Sequence, residues 1–454
     1  MSDEARPRAR DVGIRIGTQE PGSNNAITDV EGVRVGHVTL VEGEGPLRIG
    51  EGPVRTGVTS ILPPGHDWYR ESVEAGHFVF NSAGTTTGLS LIEEFGKIET
   101  PVLLTNTLSV GAAYEGIVSY MVERIFQPRG EVPWFNPVVG ETSDAFLNDI
   151  GGRHVRPHHA AEAVEVATGG PVVEGNVGAG TGTSALGYKG GIGTSSRLVH
   201  LAGETAVVGV LVQSNFGGRF TVDGVDMSEL RPANQPHHTV GSSIMIIVAT
   251  DMPLNGRLLN RLAKRATFGL ARSGSDAAHG SGDYVITFST TQRKQELFPA
   301  MRQVLAEEEG ALNAGFAAVA AATEEAILNS LFQATRMVGR DGHVSEALPI
   351  DRVVAVFERR GSPPSPPGTG RSPPAHRPRF AVGRPLLVDR ASDEDFRSRC
   401  RRRPRRGSAR HGRSRRRRRC RRSLGDWRGA AGRAPAVVPR TQHPRSVPPA
   451  TAVG

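Results

Sequence analysis

Two adjacent serines, Ser242 and Ser243, stand where a polar turn runs into the unbroken apolar stretch Ile244-Met245-Ile246-Ile247-Val248-Ala249. Such a run describes a strand buried on both faces. A hydroxyl at its mouth is either a turn residue or a nucleophile, and pattern alone favours the turn. No Gly-x-Ser-x-Gly elbow, Ser-x-x-Lys pair or legible Ser/His/Asp set accompanies it. Other candidates are weaker still. Gly182-Thr183-Ser184-Ala185-Leu186-Gly187-Tyr188-Lys189 fails as a phosphate loop, because Tyr188 separates glycine from lysine and no Ser or Thr follows directly. Gly178-Ala179-Gly180 lacks the third glycine of a dinucleotide fingerprint. His154, His158 and His159, like His237 and His238, have no helical or paired-cysteine frame and fit surface loops, so no metal ligand is assigned.

The elements that would position these serines follow from periodicity and punctuation. Short glycine-punctuated strands are predicted at 12–17, 27–30 and 33–38, and a further strand at Gly57–Leu62 closed by Pro63-Pro64-Gly65. His77–Asn81 leads through the small-residue loop Ser82–Gly88 into a helix, Leu89 to about Phe95. Pro101–Thr107 is a buried strand, and Ala112–Ile125 has helical spacing. Val177–Ser184 and Lys189–Ser196 are expected as tight loops, and Ala206–Gln213 as a second wholly apolar strand. Helices are expected over Leu254–Ala271, Gln295–Glu308 and Ala311–Met337, with Glu324 and Glu325 on the polar face of the last. Tyr284–Ser289 is a strand between them. Apolar strands need cover on both faces, so two helical layers must enclose the sheets. One domain layered α/β/β/α, residues 1–359, fits this pattern.

Bulk composition divides the chain. Residues 361–454 hold 25 Arg, no Lys and five acidic residues, so the formal charge of +9 belongs to this segment, and residues 1–360 are acidic. Both cysteines, Cys400 and Cys420, also lie there, which leaves the rest without a disulfide or thiolate metal site. The Pro- and Arg-rich composition of 360–454 predicts disorder. It fits equally a tail that binds nucleic acid electrostatically and GC-rich DNA translated out of frame. No signal peptide and no membrane-length apolar run is evident, so a cytoplasmic protein without membrane contact is expected.

Several ordered motifs carry a resemblance. They are Asn25-Ala26-Ile27-Thr28-Asp29-Val30, Val35-Gly36-His37, Arg55-Thr56-Gly57-Val58-Thr59, Gly140-Glu141-Thr142 with Leu147-Asn148-Asp149-Ile150, and Gly178-Ala179-Gly180-Thr181-Gly182. Lys189-Gly190-Gly191-Ile192-Gly193-Thr194, Val212-Gln213 with Asn215-Phe216-Gly217, and Val248-Ala249-Thr250-Asp251 with Pro253-Leu254 continue the series. From about Ala9 to Met337 the chain resembles the DmpA-type L-aminopeptidase/D-esterase family, which includes β-peptidyl aminopeptidases. The resemblance implies an α/β/β/α sandwich and a precursor that cuts itself before a serine, here between Ser242 and Ser243, with Gly241–Ser242 as a minor alternative. Ser243 would be the nucleophile and its new α-amine the base, which accounts for the absent triad. Ser281 and Asp283 would orient that amine, although relatives carry Glu where Asp283 stands. The resemblance further implies Asn215 as oxyanion donor and Glu141 as receiver of the substrate's ammonium. Phe146 falls where some relatives carry Tyr and is given no catalytic role.

The expected function is hydrolysis of N-terminal residues from peptides, amides or esters, without metal or organic cofactor, by a homo-oligomer of cleaved protomers. The alternatives are an uncleaved inactive relative whose Arg-rich tail binds nucleic acid, and a similar fold performing acyl transfer or oligoamide hydrolysis.

Overall fold

Ser243 begins a strand with a neighbour on each side, and both belong to a six-stranded sheet, the larger of the two main sheets among the described residues. The computed structural model describes residues 6–201, 204–232, 242–293 and 309–360. The main strands are β1 (Arg34–Glu42), β2 (Val54–Leu62), β3 (Val73–Ser82), β4 (Lys97–Ile98), β5 (Val102–Asn106), β6 (Val138–Thr142), β7 (Ile192–Leu201), β8 (Glu204–Asn215), β9 (Ser243–Thr250) and β10 (Gly282–Arg293). The α-helices among the described residues are α1 (Leu89–Phe95), α2 (Val110–Met121), α3 (Pro157–Glu165), α4 (Gly256–Arg272), α5 (Glu309–Phe332) and α6 (Ile350–Arg360). One sheet has the order β1-β2-β5-β6 and the other β4-β3-β10-β9-β8-β7.

Alternation along β9 explains the layering. Ile244, Ile246 and Val248 pack with Leu258 and Leu262 of α4 and Ala322 of α5. Met245, Ile247 and Ala249 face the other way, onto Ile61, Leu104 and Val138 of the four-stranded sheet. The outer face of that sheet, through Val58, Leu103 and Val139, is covered by Ile117 and Met121 of α2 and Ala160 and Ala163 of α3. The result is an α/β/β/α sandwich, as expected. Every residue of β9 is buried, and each Ile or Val removed from water contributes about 1.5–3 kcal/mol. Two glycines let neighbouring layers approach closely. A Cβ on Gly193 would lie 2.0 Å from the Ala326 carbonyl oxygen of α5, and one on Gly140 would lie 2.3 Å from Met245 Cε.

Four expectations need correction. Residues 12–17 and 27–30 form no strands; short 3₁₀ turns occur at Ala9–Val12 and Ile27–Asp29. This N-terminal backbone is tied to α5 rather than to a sheet: Arg6 Nε donates to the Phe332 carbonyl, and the Ala9 N–H donates to Asn329 Oδ1. Ile192–Ser196, expected in a loop, opens β7, because its glycine serves close helix packing rather than a turn. Glu324 and Glu325 are not on a polar face, since Ala318–Phe332 is buried throughout. His158 and His159, expected in loops, lie in the first turn of α3. The helix expected over 295–308, His237, His238, Gly241 and the tail from 361 lie outside the described residues. Among the described residues, no helix is long and apolar enough to cross a membrane.

Glu325 is buried because cations converge on it. Arg197 Nη2 lies 2.7 Å and Arg10 Nε 2.9 Å from its carboxylate, and Arg197 itself has no exposed side-chain surface. Removing one partner of such a cluster strands the other charge in the interior. Glu325→Ala should therefore destabilise the fold by roughly 3–5 kcal/mol, measured by denaturant unfolding. A loss below about 1 kcal/mol, the size of an ordinary point change, would contradict this account.

Candidate active site

The end of the six-stranded sheet gathers four of the candidate residues. In the antiparallel β8–β9 ladder Asn215 lies directly opposite Ser243, and in the parallel β9–β10 ladder Gly282 lies opposite Ser243 on the other flank. Alternation puts Ser243 on the face of Met245 and Ile247, and Asn215 on the face of Leu211, so both look into the space between the sheets. Ser243 Oγ is buried and has no hydrogen-bond partner among the described residues. Ser242 differs. Its Oγ accepts the Gly217 N–H at 3.1 Å, and its carbonyl accepts the Gly282 N–H at 3.0 Å.

Ser281 precedes β10 and donates from Oγ to Asp283 Oδ1 at 2.7 Å. The other oxygen, Asp283 Oδ2, accepts from Asn81 Nδ2 at 2.8 Å, and the same amide donates to the Ala277 carbonyl at 3.1 Å. Burial raises the Asp283 pKa, and the donors from Ser281, Asn81 and the Ile244 backbone work against that rise. Asn81, next to the last residue of β3, is in register with Asp283. No sequence pattern pointed to it, because its role depends on a pairing between strands distant in the chain.

Glu141 comes from the other sheet, near the end of β6. Its Oε1 accepts the Thr85 N–H at 2.8 Å, and Oε2 accepts the Thr107 hydroxyl. Burial raises its pKa, opposed by those two donors. A Cβ on Gly84 would sit 2.7 Å from Glu141 Oε1, so a side chain at this point of the loop after β3 would press on the Glu141 carboxylate. Thr107, Leu108, Glu141, Ile150, Ser242 and Ser243 share the walls of one cavity of ≈ 290 Å³. A larger cavity of ≈ 460 Å³, between Leu186, Tyr188, Phe220 and Met227, contains none of these candidates. Asn215 Oδ1 accepts the Ser184 N–H at 3.1 Å, which orients its amide. Phe146 stacks on His343 with ring centroids 4.7 Å apart. Among the described residues no group of three or more His, Cys, Asp and Glu side chains could hold a metal ion.

A buried hydroxyl and a buried carboxylate thus face one small cavity, with a Ser–Asp–Asn chain behind the next strand. That arrangement suits acyl chemistry on a substrate carrying a positive charge. Solved structures share the sandwich. The PH0078 protein from Pyrococcus horikoshii OT3 superposes with a TM-score of 0.73 at 47% identity, covering 78% of this chain and 100% of that one. The L-aminopeptidase D-Ala-esterase/amidase from Ochrobactrum anthropi, described as a prototype serine aminopeptidase and a variant of the Ntn hydrolase fold, gives 0.73 at 37% identity, covering 79% and 99%. The fold is therefore of the Ntn hydrolase class. In sequence, a β-peptidyl aminopeptidase from Sphingosinicella microcystinivorans is 42% identical over 371 residues, 78% of this chain and 92% of the relative. The profile of peptidase family S58 matches residues 25–345. The chain belongs to peptidase family S58 and is an aminopeptidase of that family.

Proposed function

We propose that this chain cuts its own Ser242–Ser243 peptide bond and then acts as a serine N-terminal-nucleophile aminopeptidase. The observation that carries the reading is the contrast between the two serines. Ser242 is engaged through both its hydroxyl and its carbonyl, whereas Ser243 Oγ is buried and unpartnered among the described residues, and Ser243 lines a cavity beside Glu141. A buried hydroxyl without a partner is costly to maintain and marks a group poised for another use.

In the cutting step Ser243 Oγ attacks the Ser242 carbonyl carbon. The C–N bond breaks, an ester forms, and the Oγ proton passes to the Ser243 nitrogen, which is released as an α-amine. The Gly282 N–H, already on that carbonyl oxygen, would stabilise the charge that develops there. Water then hydrolyses the ester, leaving a carboxylate on Ser242 and the free hydroxyl on Ser243. In the mature enzyme the α-amine, with an ordinary pKa of about 7.7–8, takes the Oγ proton as Oγ attacks a substrate carbonyl. It then returns the proton to the leaving amine, and water releases the acyl group. Asn215 would hold the oxyanion, Ser281 and Asp283 would orient the amine, and Glu141 would receive the substrate's ammonium.

The substrates are peptides, amides or esters with a free amino terminus, and assembly as a homo-oligomer belongs to the same proposal. Because the Sphingosinicella relative is a β-peptidyl aminopeptidase, β-amino acyl amides are the class to assay beside α-amino ones.

Ser243→Ala should abolish both the cut and hydrolysis of L-alanyl and β-alanyl p-nitroanilide, measured by denaturing gel and absorbance. A variant that still cuts would move the nucleophile elsewhere. The pH dependence of substrate affinity gives a second prediction. Glu141 receives an ammonium only when ionised, and its pKa is raised. KM should therefore rise as pH falls, starting at a higher pH than for an ordinary glutamate. Glu141→Gln should raise KM about 10-fold or more, the scale of one charged hydrogen bond, and remove that pH step. An unchanged KM profile would dismiss the ammonium role.

A further inference from the structure

Lys189 is a buried ionisable residue with no part in the chemistry above. Its side chain is wholly enclosed. Its ammonium donates to three backbone carbonyls: Thr183 at 2.7 Å, Gly190 at 2.7 Å and Gly180 at 3.0 Å. Burial pulls its pKa down to about 7, and the charge of Asp144 opposes that shift. Three acceptors can all be served only by the protonated form, with its three N–H bonds. An ammonium in the interior is tolerated when its donors are met in this way.

The Thr183 carbonyl belongs to the same peptide unit as the Ser184 N–H. That carbonyl also accepts the Gly190 N–H at 3.2 Å, and the Ser184 N–H donates to Asn215 Oδ1 at 3.1 Å. A continuous chain of hydrogen bonds therefore runs from Lys189 Nζ through the Thr183–Ser184 peptide to the Asn215 amide. We infer that Lys189 is a positioning residue for Asn215, fixing Oδ1 as the accepting end of the amide and Nδ2 as its donating end, with Asn215 opposite Ser243 in the ladder. Two effects act together. The fixed Ser184 N–H selects one of two otherwise near-equivalent amide orientations. A charge at the head of a hydrogen-bonded chain polarises each following donor. This inference rests on the reading of Asn215 as oxyanion donor.

A double-mutant cycle tests it, with L-alanyl and β-alanyl p-nitroanilide as probes and rates taken per cut protomer. The four proteins are the native chain, Lys189→Met, Asn215→Ala and the double variant, with Asn215→Ser in place of Asn215→Ala if the latter stays uncut. Asn215→Ala should lower kcat about 100-fold or more, as loss of one oxyanion donor does. Lys189→Met should lower kcat at least ~10-fold with KM little changed, a loss confined to the transition state. In the Asn215→Ala background the lysine change should add no further loss. Equal losses in both backgrounds, or none in the native chain, would make Lys189 a rivet for the glycine-rich turn and overturn the inference while leaving the Asn215 reading intact. An Asn215→Ala protein with native kcat would instead remove the reading on which the inference rests. If Lys189→Met does not fold or cut, Lys189→Arg serves, since it keeps a charge and donors with altered geometry. A kcat loss present in the native background and absent beside Asn215→Ala supports the inference, and equal losses sink it.

Discussion

Everything at the site depends on the register of β9, which is paired along its length on both flanks. All eight of its residues are buried, and a slip by one residue would turn the face of Ile244, Ile246 and Val248 from the helices to the opposite sheet. The burial pattern therefore fixes which of two adjacent serines looks between the sheets. With β9 locked, β8 must present Asn215 opposite Ser243, and β10 must present Gly282 on the other side. Glu141 arrives from the second sheet because Gly140 lets β6 lie close against Met245. Packing in the middle of the sandwich thus sets polar geometry at its edge.

The electrostatics of the interior divide into two kinds. Glu325 is held by arginines, and this cluster ties the N-terminal segment and β7 to α5. The hydrogen bonds to Glu141 and Asp283 described above come instead from neutral donors: Thr85 and Thr107 for one, Ser281 and Asn81 for the other. Burial raises both pKa values where no cation offsets it. In the proposed mechanism cationic partners enter later, as the substrate's ammonium and the protonated α-amine of Ser243.

The sequence made the central strands legible because continuous apolar runs such as 244–249 have few other interpretations. The layering followed from the need to cover them. Ser243 itself was ambiguous on pattern, and only the resemblance weighed against a turn. What could not be read had a common cause. The N-terminal segment is shaped by contacts with α5, more than 300 residues away. Glu325 looks solvent-facing until Arg10 and Arg197 are brought to it. Gly193 looks like a turn residue until α5 lies across it. Asn81 and Lys189 act through partners that only strand pairing and hairpin closure supply, so neither has a local signature.

The central proposal is that strand β9 begins a second polypeptide. Intact-mass measurement with N-terminal sequencing of the purified, freshly expressed protein tests this most directly. The account predicts two fragments, residues 1–242 and 243–454, the second beginning at a free Ser243. A single uncut chain in an otherwise active enzyme, or a fragment beginning at Ser242, would contradict it.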